Sequence, residues 1–280
     1  MAKSFEPGEP IWCAGCGHFG VQNAVVAALA KLEIPSHETL IISGIGCSGT
    51  LQNNVSAYGY HALHGRLLPT ATGAHLANRD LTVIASGGDG DGYAIGMGHL
   101  VHAFRRNPSF VYVLMNNGTY GLTKGQDSPT AEESADGEEA GLDGIALGVS
   151  LQTTTFLARG YSGNPAQLAK LMIAALKHSR ERRGFSFLEV LSPCVTYNDT
   201  YSNWAGRILN VDDDLNYDRG SHIEAFKKIS MARETRKILT GLIFESEGAA
   251  YSTVSPPALM DVNIKQHLSD YQNLLERFVV

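Results

Sequence analysis

The sequence predicts an α/β fold, a mainly parallel sheet with helices on both faces. Three observations predict it. Short apolar runs alternate with helical stretches along the first 200 residues. The runs are continuous rather than alternating, as expected of strands buried on both faces. Each run ends in a cluster of Gly, Asp, Asn or Cys, and ligands in an open α/β sheet bind beyond the carboxyl ends of the strands.

Taken in order, residues 18–32 (HFGVQNAVVAALAKL) are apolar and alanine-rich enough for a buried helix. Residues 39–43 (TLIIS) form a first strand that runs into the turn Gly44-Ile45-Gly46-Cys47-Ser48-Gly49. Residues 81–86 (LTVIAS) form a second, ending in Gly87-Gly88-Asp89-Gly90-Asp91-Gly92. A helix over 94–105 leads to a third strand, 110–115 (FVYVLM), and to Asn116-Asn117-Gly118. An amphipathic helix over 166–180 precedes a fourth strand over 185–191, followed by Ser192-Pro193-Cys194. Four strand ends with such residues describe one site better than four. Residues 1–200 read as one binding domain and 201–280 as a C-terminal extension. That extension carries a helix near 222–237, packs on the domain or on a partner, and shows no catalytic constellation.

Composition narrows the function. Of 280 residues, 44% are hydrophobic and 18% charged, with a net charge of −6, which fits a globular chain and not a disordered one. The negative balance argues against nucleic-acid binding, which needs a basic footprint. No apolar run reaches the ~20 residues of a membrane span, and residues 1–10 lack the apolar core of a signal peptide. The expectation is a cytoplasmic protein without membrane or nucleic-acid partners. Glycine is 30 of 280 residues, against a typical ~7%, which suggests backbone approaching a ligand. Between Gly125 and Ala158 there is no Lys or Arg, while Glu132, Glu133, Asp136, Glu138, Glu139 and Asp143 accumulate. The expectation there is a solvated acidic loop.

Asp89 and Asn117 stand 28 residues apart, about the length of a crossover helix and the next parallel strand. That spacing brings a carboxylate and an amide oxygen to the same sheet edge. Both are hard oxygen ligands suited to Mg²⁺, which fills its octahedron with phosphate and water. Either Gly-Asp-Gly or Asn-Asn-Gly alone reads as a turn; in this order and context they resemble the thiamine diphosphate motif. That resemblance implies Mg²⁺ on the side chains of Asp89 and Asn117 and on the Thr119 carbonyl, with Gly90 and Asp91 against the diphosphate.

The four cysteines are Cys13 and Cys16 in WCAGCG, Cys47 in GCS, and Cys194 in PC. By count they suit tetrahedral zinc or a [4Fe–4S] cluster equally well. Structural zinc sites usually show a second close pair, and here Cys47 and Cys194 are solitary.

The motifs WCAGCGHFG, GIGCSG, HALHGRLLPTATGAHLAN, GGDGDGYAIGMGH, NNGTYGLTKGQDSPT and LSPCVTYN follow one another from residue 12 to about 198. Together they resemble the beta subunits of 2-oxoacid:ferredoxin oxidoreductases. The resemblance implies a thiamine diphosphate-binding fold and a [4Fe–4S] cluster on Cys13, Cys16, Cys47 and Cys194. It places Ile45, Gly46, Ser48, His64, Gly121 and Leu122 beside the cofactor. It implies a partner alpha subunit carrying the aminopyrimidine-binding domain, as an alpha-beta heterodimer or a dimer of these. Ferredoxin is the implied electron acceptor and coenzyme A the co-substrate. Lys124 alone would read as a solvated side chain. In the family, Lys at this place goes with 2-oxoglutarate or a broad set of 2-oxoacids, and Gly with pyruvate. Leu122 then shapes the substrate pocket. His18, His75 and His99 have no such support and read as structural.

Overall fold

The computed structural model describes residues 9–132, 141–247 and 276. The elements run in the order α1 (His18–Lys31), β1 (Thr39–Ser43), β2 (Tyr58–His61), α2 (Leu67–Ala77), β3 (Thr82–Gly88), α3 (Met97–Arg106) and β4 (Val111–Asn116). A small hairpin, β5 (Thr119–Tyr120) and β6 (Gln126–Asp127), leads to α4 (Gly144–Val149) and β7 (Phe156–Tyr161). Then come α5 (Pro165–Arg180), β8 (Ser186–Leu191), α6 (Tyr201–Ala205), β9 (Ile208–Asn210), α7 (His222–Glu234) and β10 (Ile238–Glu245). The main sheet has the order β2-β1-β3-β4-β8-β7-β10-β9. Its pairings from β2 through to β7 are parallel, and β10 joins β7 antiparallel.

Side chains of the central strands alternate between two cores, as the twofold period of a strand requires. Ile41, Ile84, Val111, Val113 and Met115 pack under α1 and α5. Ile42, Ala85, Tyr112 and Leu114 pack under α2, α3, α4 and α7. Helix α1 turns Val21, Ala24, Val25, Ala28 and Leu29 inward, the spacing of a helical stripe. Helix α5 starts with Pro165 behind Asn164, whose side chain accepts from Gln167 N at 3.2 Å, a cap worth ~1 kcal/mol. Phe104 meets Phe185 and Phe187 edge-on, each at 5.4 Å between centroids, contacts worth roughly 0.5–1.5 kcal/mol beyond their buried area.

The four expected strands and the four expected helices form within three residues of their predicted bounds. A π-turn over Gly90–Ile95 takes up the first residues of the helix predicted from 94, and α3 starts at Met97. Such turns recur at functional sites. Helix α2 and strands β2, β7 and β10 carry weak sequence signals. Strand β2 is exposed along its whole length; α2 contains Pro69 and Gly73; β7 carries Arg159; and β10 is bulged between Leu242 and Phe244. The strands β9 and β10 extend the main sheet beyond residue 201.

The acidic stretch needs correcting in part. Asp143 is not solvated: it caps α4 through Ile145 N and Ala146 N and pairs with Arg159 at 2.6 Å. Burial would raise its carboxyl, but the Arg159 guanidinium holds it below the usual range. Glu132 pairs with Arg207 and accepts from Trp204 Nε1 at 3.0 Å. Glu133, Asp136, Glu138 and Glu139 lie outside the described residues.

Arg159 on β7 also donates to Glu189 of β8 at 2.6 Å, and Glu189 accepts from Tyr93 at 3.2 Å and from Asn116 at 2.8 Å. This buried network fixes Asn116, the residue before Asn117. Replacing Glu189 by Leu should cost about 3–5 kcal/mol, because Arg159 keeps its charge and loses a partner. The double variant Glu189→Leu/Arg159→Met should recover a large part of that loss. Urea unfolding of the three chains measures both.

Candidate functional site

The chain reverses direction across the sheet at β1, which has β2 on one side and β3 on the other. A topological switch of this kind opens a crevice at the carboxyl ends of the strands. A cavity of about 130 Å³ lies there. Its wall contains Ile45, Gly46, Cys47 and Ser48 from the loop after β1, His64 from the loop after β2, and Asp89, Gly90 and Asp91 from the end of β3. Asn117, Thr119, Gly121 and Leu122 complete it from the end of β4 and the hairpin. All twelve are named in the sequence analysis, most of them through the family resemblance.

The loops are tied together by Asp91. Its Oδ1 accepts from Ile45 N at 3.1 Å, Gly65 N at 2.8 Å and His64 Nδ1 at 2.7 Å. Gly44 leaves room for this carboxylate: a Cβ there would stand 2.1 Å from Asp91 Oδ2. A carboxylate can only accept, so His64 Nδ1 is the donor of this bond and Nε2 takes no part in it.

Asp89 is 2% exposed. Its Oδ2 accepts from Gly118 N at 3.1 Å, Thr130 Oγ1 at 2.6 Å and Ser128 Oγ. Burial pushes its carboxyl up, and the Ser128 and Thr130 hydroxyls oppose that rise. Asn117 Oδ1 accepts from Thr119 N at 3.1 Å, while its carbonyl accepts from Asn198 Nδ2 at 2.9 Å. Thr119 is held by its hydroxyl, which donates to Gln126 O at 2.9 Å. Asp89, Asn117 and Thr119 thus stand side by side, one carboxylate and two neutral oxygen donors.

The cysteine segments are knitted by backbone. Cys16 N donates to Cys13 O at 3.0 Å, and Gly17 N to Pro193 O at 3.0 Å. Gly17 lies so close to the Ser192 backbone that a Cβ would sit 2.5 Å from its carbonyl carbon. Trp12 Nε1 donates to Cys47 O at 2.7 Å. A Cβ on Gly121 would lie 3.6 Å from Cys194 Sγ and 3.7 Å from Cys47 Sγ. Burial pushes the Cys16 thiol up to about 11, and nearby Cys194, Cys47 and Cys13 add to the rise. Burial also raises Cys47, with Cys194 and Cys13 contributing. Cys47 and Cys194 therefore stand beside Gly121, with Cys13 and Cys16 near enough to act on their neighbours' charge. Among the described residues, no three His, Cys, Asp or Glu side chains converge on a single ion.

Lys124 lies on the exposed hairpin turn, two residues past Leu122 and outside the cavity wall. Its φ is +80°, a region where glycine is unstrained and other residues pay roughly 1–2 kcal/mol.

His18, which reads as structural from the sequence, lines the cavity. It is fully buried, bonds Ser192 Oγ at 3.1 Å, and burial pushes it down to about 4. Ser128, Thr130 and Tyr120 also escape the sequence reading, since hydroxyl residues after a turn carry no pattern of their own. His99 sits on the surface beside Arg66. His75 is buried near the amino ends of the strands, on a separate cavity of about 400 Å³ that contains none of the predicted cofactor, metal or substrate residues.

Residues 44–190 match the family of the thiamine pyrophosphate enzyme C-terminal TPP-binding domain. The chain is 40% identical over 218 residues to a 2-oxoacid:ferredoxin oxidoreductase subunit beta of Saccharolobus solfataricus, covering 74% of this chain and 70% of that one. It is 33% identical to the subunit beta of 2-oxoacid:ferredoxin oxidoreductase 1 of Aeropyrum pernix, over 96% of this chain and 93% of that one. Among solved structures it resembles a 2-oxoglutarate:ferredoxin oxidoreductase from Magnetococcus marinus with 2-oxoglutarate, coenzyme A and succinyl-CoA bound. That similarity has a TM-score of 0.82 and 34% identity, over 99% of this chain and 91% of that one. Among the described residues, no helix is long and apolar enough to cross a membrane. With this fold, this strand-end crevice and these relatives, the chain belongs to the family of 2-oxoacid:ferredoxin oxidoreductase beta subunits and is an oxidoreductase subunit.

Proposed function

We propose that the chain is the beta subunit of an enzyme that converts 2-oxoglutarate, coenzyme A and two oxidised ferredoxins to succinyl-CoA, CO₂, a proton and two reduced ferredoxins. The observation that carries this reading is the meeting of the Asp89–Asn117–Thr119 oxygens and Cys47 at one crevice, with Cys194 beside the same Gly121. Thiamine diphosphate, when bound, supplies the electron sink for cleavage of the bond to the leaving carboxylate.

The residues have separate tasks. Asp89 offers a carboxylate, Asn117 an amide oxygen and Thr119 a carbonyl, a donor set that fits Mg²⁺. Ile45, Gly46, Ser48, Gly90 and Asp91 line the floor against the cofactor, and Gly121 and Leu122 close its other side. His64, braced by Asp91, presents a nitrogen able to hold or return a proton. Cys13, Cys16, Cys47 and Cys194 would hold a [4Fe–4S] cluster, which would supply one-electron chemistry toward ferredoxin. The positions of Cys47 and Cys194 against Gly121 support a cluster beside the cofactor. Lys124 pairs with the distal carboxylate of the substrate over Leu122. Its position at φ +80°, where a side chain is strained, supports a role that glycine could not fill.

A cavity of about 130 Å³ is below the roughly 300 Å³ at which whole-ligand pockets begin. This supports a second chain, the alpha subunit, closing over the aminopyrimidine half. Leu63, Ile95 and Leu122, each more than half exposed, flank His64 and the crevice and fit such a cover. On this reading the protein works in the cytoplasm as an alpha-beta heterodimer or a dimer of these.

Two outcomes test the site. Asp89→Asn keeps acceptors for Gly118 and the two hydroxyls but removes the anionic ligand, and should weaken Mg²⁺–thiamine diphosphate binding about a hundredfold. Unchanged binding in equilibrium dialysis would sink the assignment. Lys124→Ala should raise KM for 2-oxoglutarate at least about tenfold, as expected for loss of a charge-assisted pair. KM for pyruvate should barely move, and equal effects on both substrates would remove Lys124 from recognition.

A further inference from the structure

The cavity at the amino ends of the strands has a chemistry of its own. At about 400 Å³ it falls within the range of small-ligand pockets. It lies where α2 and α5 end and β3 begins. Arg79, Arg180 and Arg182 line it, against Glu38 and Asp80. That leaves a local positive excess on a chain of net charge −6. The arginines stand at or just beyond the carboxyl ends of two helices, where the helix dipole favours cations and holds them ready at the rim.

Two buried side chains face the cavity with polar atoms unpaired. Among the described residues, His75, 4% exposed, has Nδ1 without a hydrogen-bond partner, and Ser109, 6% exposed, has Oγ without one. Buried polar atoms are normally satisfied, and an orphan in a cavity signals a missing partner. Arg180 is anchored by donating to Thr82 Oγ1. Arg182 sits at φ +58°, in the left-handed cap position that usually falls to glycine, and it pairs at the surface with Asp80 at 3.3 Å. Nearby Arg79 and Arg182 help burial to lower the His75 ring's affinity for a proton, so a neutral imidazole meets the ligand.

We propose that this cavity binds a phosphate-bearing anion, with Arg79, Arg180 and Arg182 on the phosphate and His75 and Ser109 completing its hydrogen bonds. Guanidinium groups match phosphate oxygens bidentately. The source is inorganic phosphate or a nucleoside phosphate. The site is separated from the cofactor crevice by the length of the sheet, so it is a second site and does not rest on the reading of the first.

The test is isothermal titration of the complete complex, saturated with Mg²⁺ and thiamine diphosphate so that the crevice is filled. The probes are inorganic phosphate, ADP and adenosine in a phosphate-free buffer. Phosphate and ADP should bind and adenosine should not. ADP binding tighter than phosphate identifies a nucleoside phosphate, and equal affinities identify inorganic phosphate. Arg182→Gln, an exposed change, should weaken binding about tenfold with an unchanged thermal melt, and Arg79→Gln/Arg182→Gln should weaken it further. No heat with either phosphate or ADP, or equal binding by both variants, overturns the proposal.

Discussion

One carboxylate oxygen holds the crevice in shape. Asp91 Oδ1 accepts from two backbone amides and one imidazole that belong to the loops after β1 and β2, while Asp91 itself follows β3. Without that shared acceptor, three glycine-rich loops would leave their strand ends independently. The carboxyl group is buried, and Oδ1 collects three hydrogen bonds in place of water while Oδ2 has no partner among the described residues, a placement tolerated only because such bonds replace lost hydration. The same need that stabilises the loops therefore fixes their mutual positions. It also explains why Gly44 faces it, since any side chain there would occupy the carboxylate's space.

A second tie works from the other side. Glu189 is 1% exposed and bridges Tyr93, Asn116 and Arg159. Asn116 Oδ1 in turn accepts from Gly118 N and Thr130 Oγ1, and Thr130 reaches Asp89. A chain of hydrogen bonds thus runs from the core of the sheet to the oxygens proposed to hold Mg²⁺. The cysteine segments use cheaper means, two backbone bonds and one indole, and stay close to the surface, with Cys13 exposed.

Much of this was legible in the residues because strand-end chemistry is local. Thr39–Ser43, with its glycine turn, and the Asp89–Asn117 spacing need only the geometry of a parallel crossover. What stayed hidden depends on tertiary context. Strand β7 carries Arg159 in its middle, and only the buried partners Glu189 and Asp143 make that charge compatible with a core strand. Helix α2 reads as broken by Pro69, which its first turn accommodates because no hydrogen bond is needed there. His18 resembles any core histidine in sequence; its place on the cavity wall follows from the packing of α1 beneath Ser192. Asp143 sits in an acidic run and was expected in solvent, but its distance to Arg159 could not be read from neighbours in the chain.

The central claim is that the four cysteines hold a redox cluster beside the cofactor crevice. The most direct measurement is iron, acid-labile sulfide and zinc content of the anaerobically purified protein, with an EPR spectrum after dithionite reduction. The account predicts about four irons and four sulfides per chain and a reduced-cluster signal. Zinc without sulfide would contradict it, leaving a crevice with no electron exit through this chain.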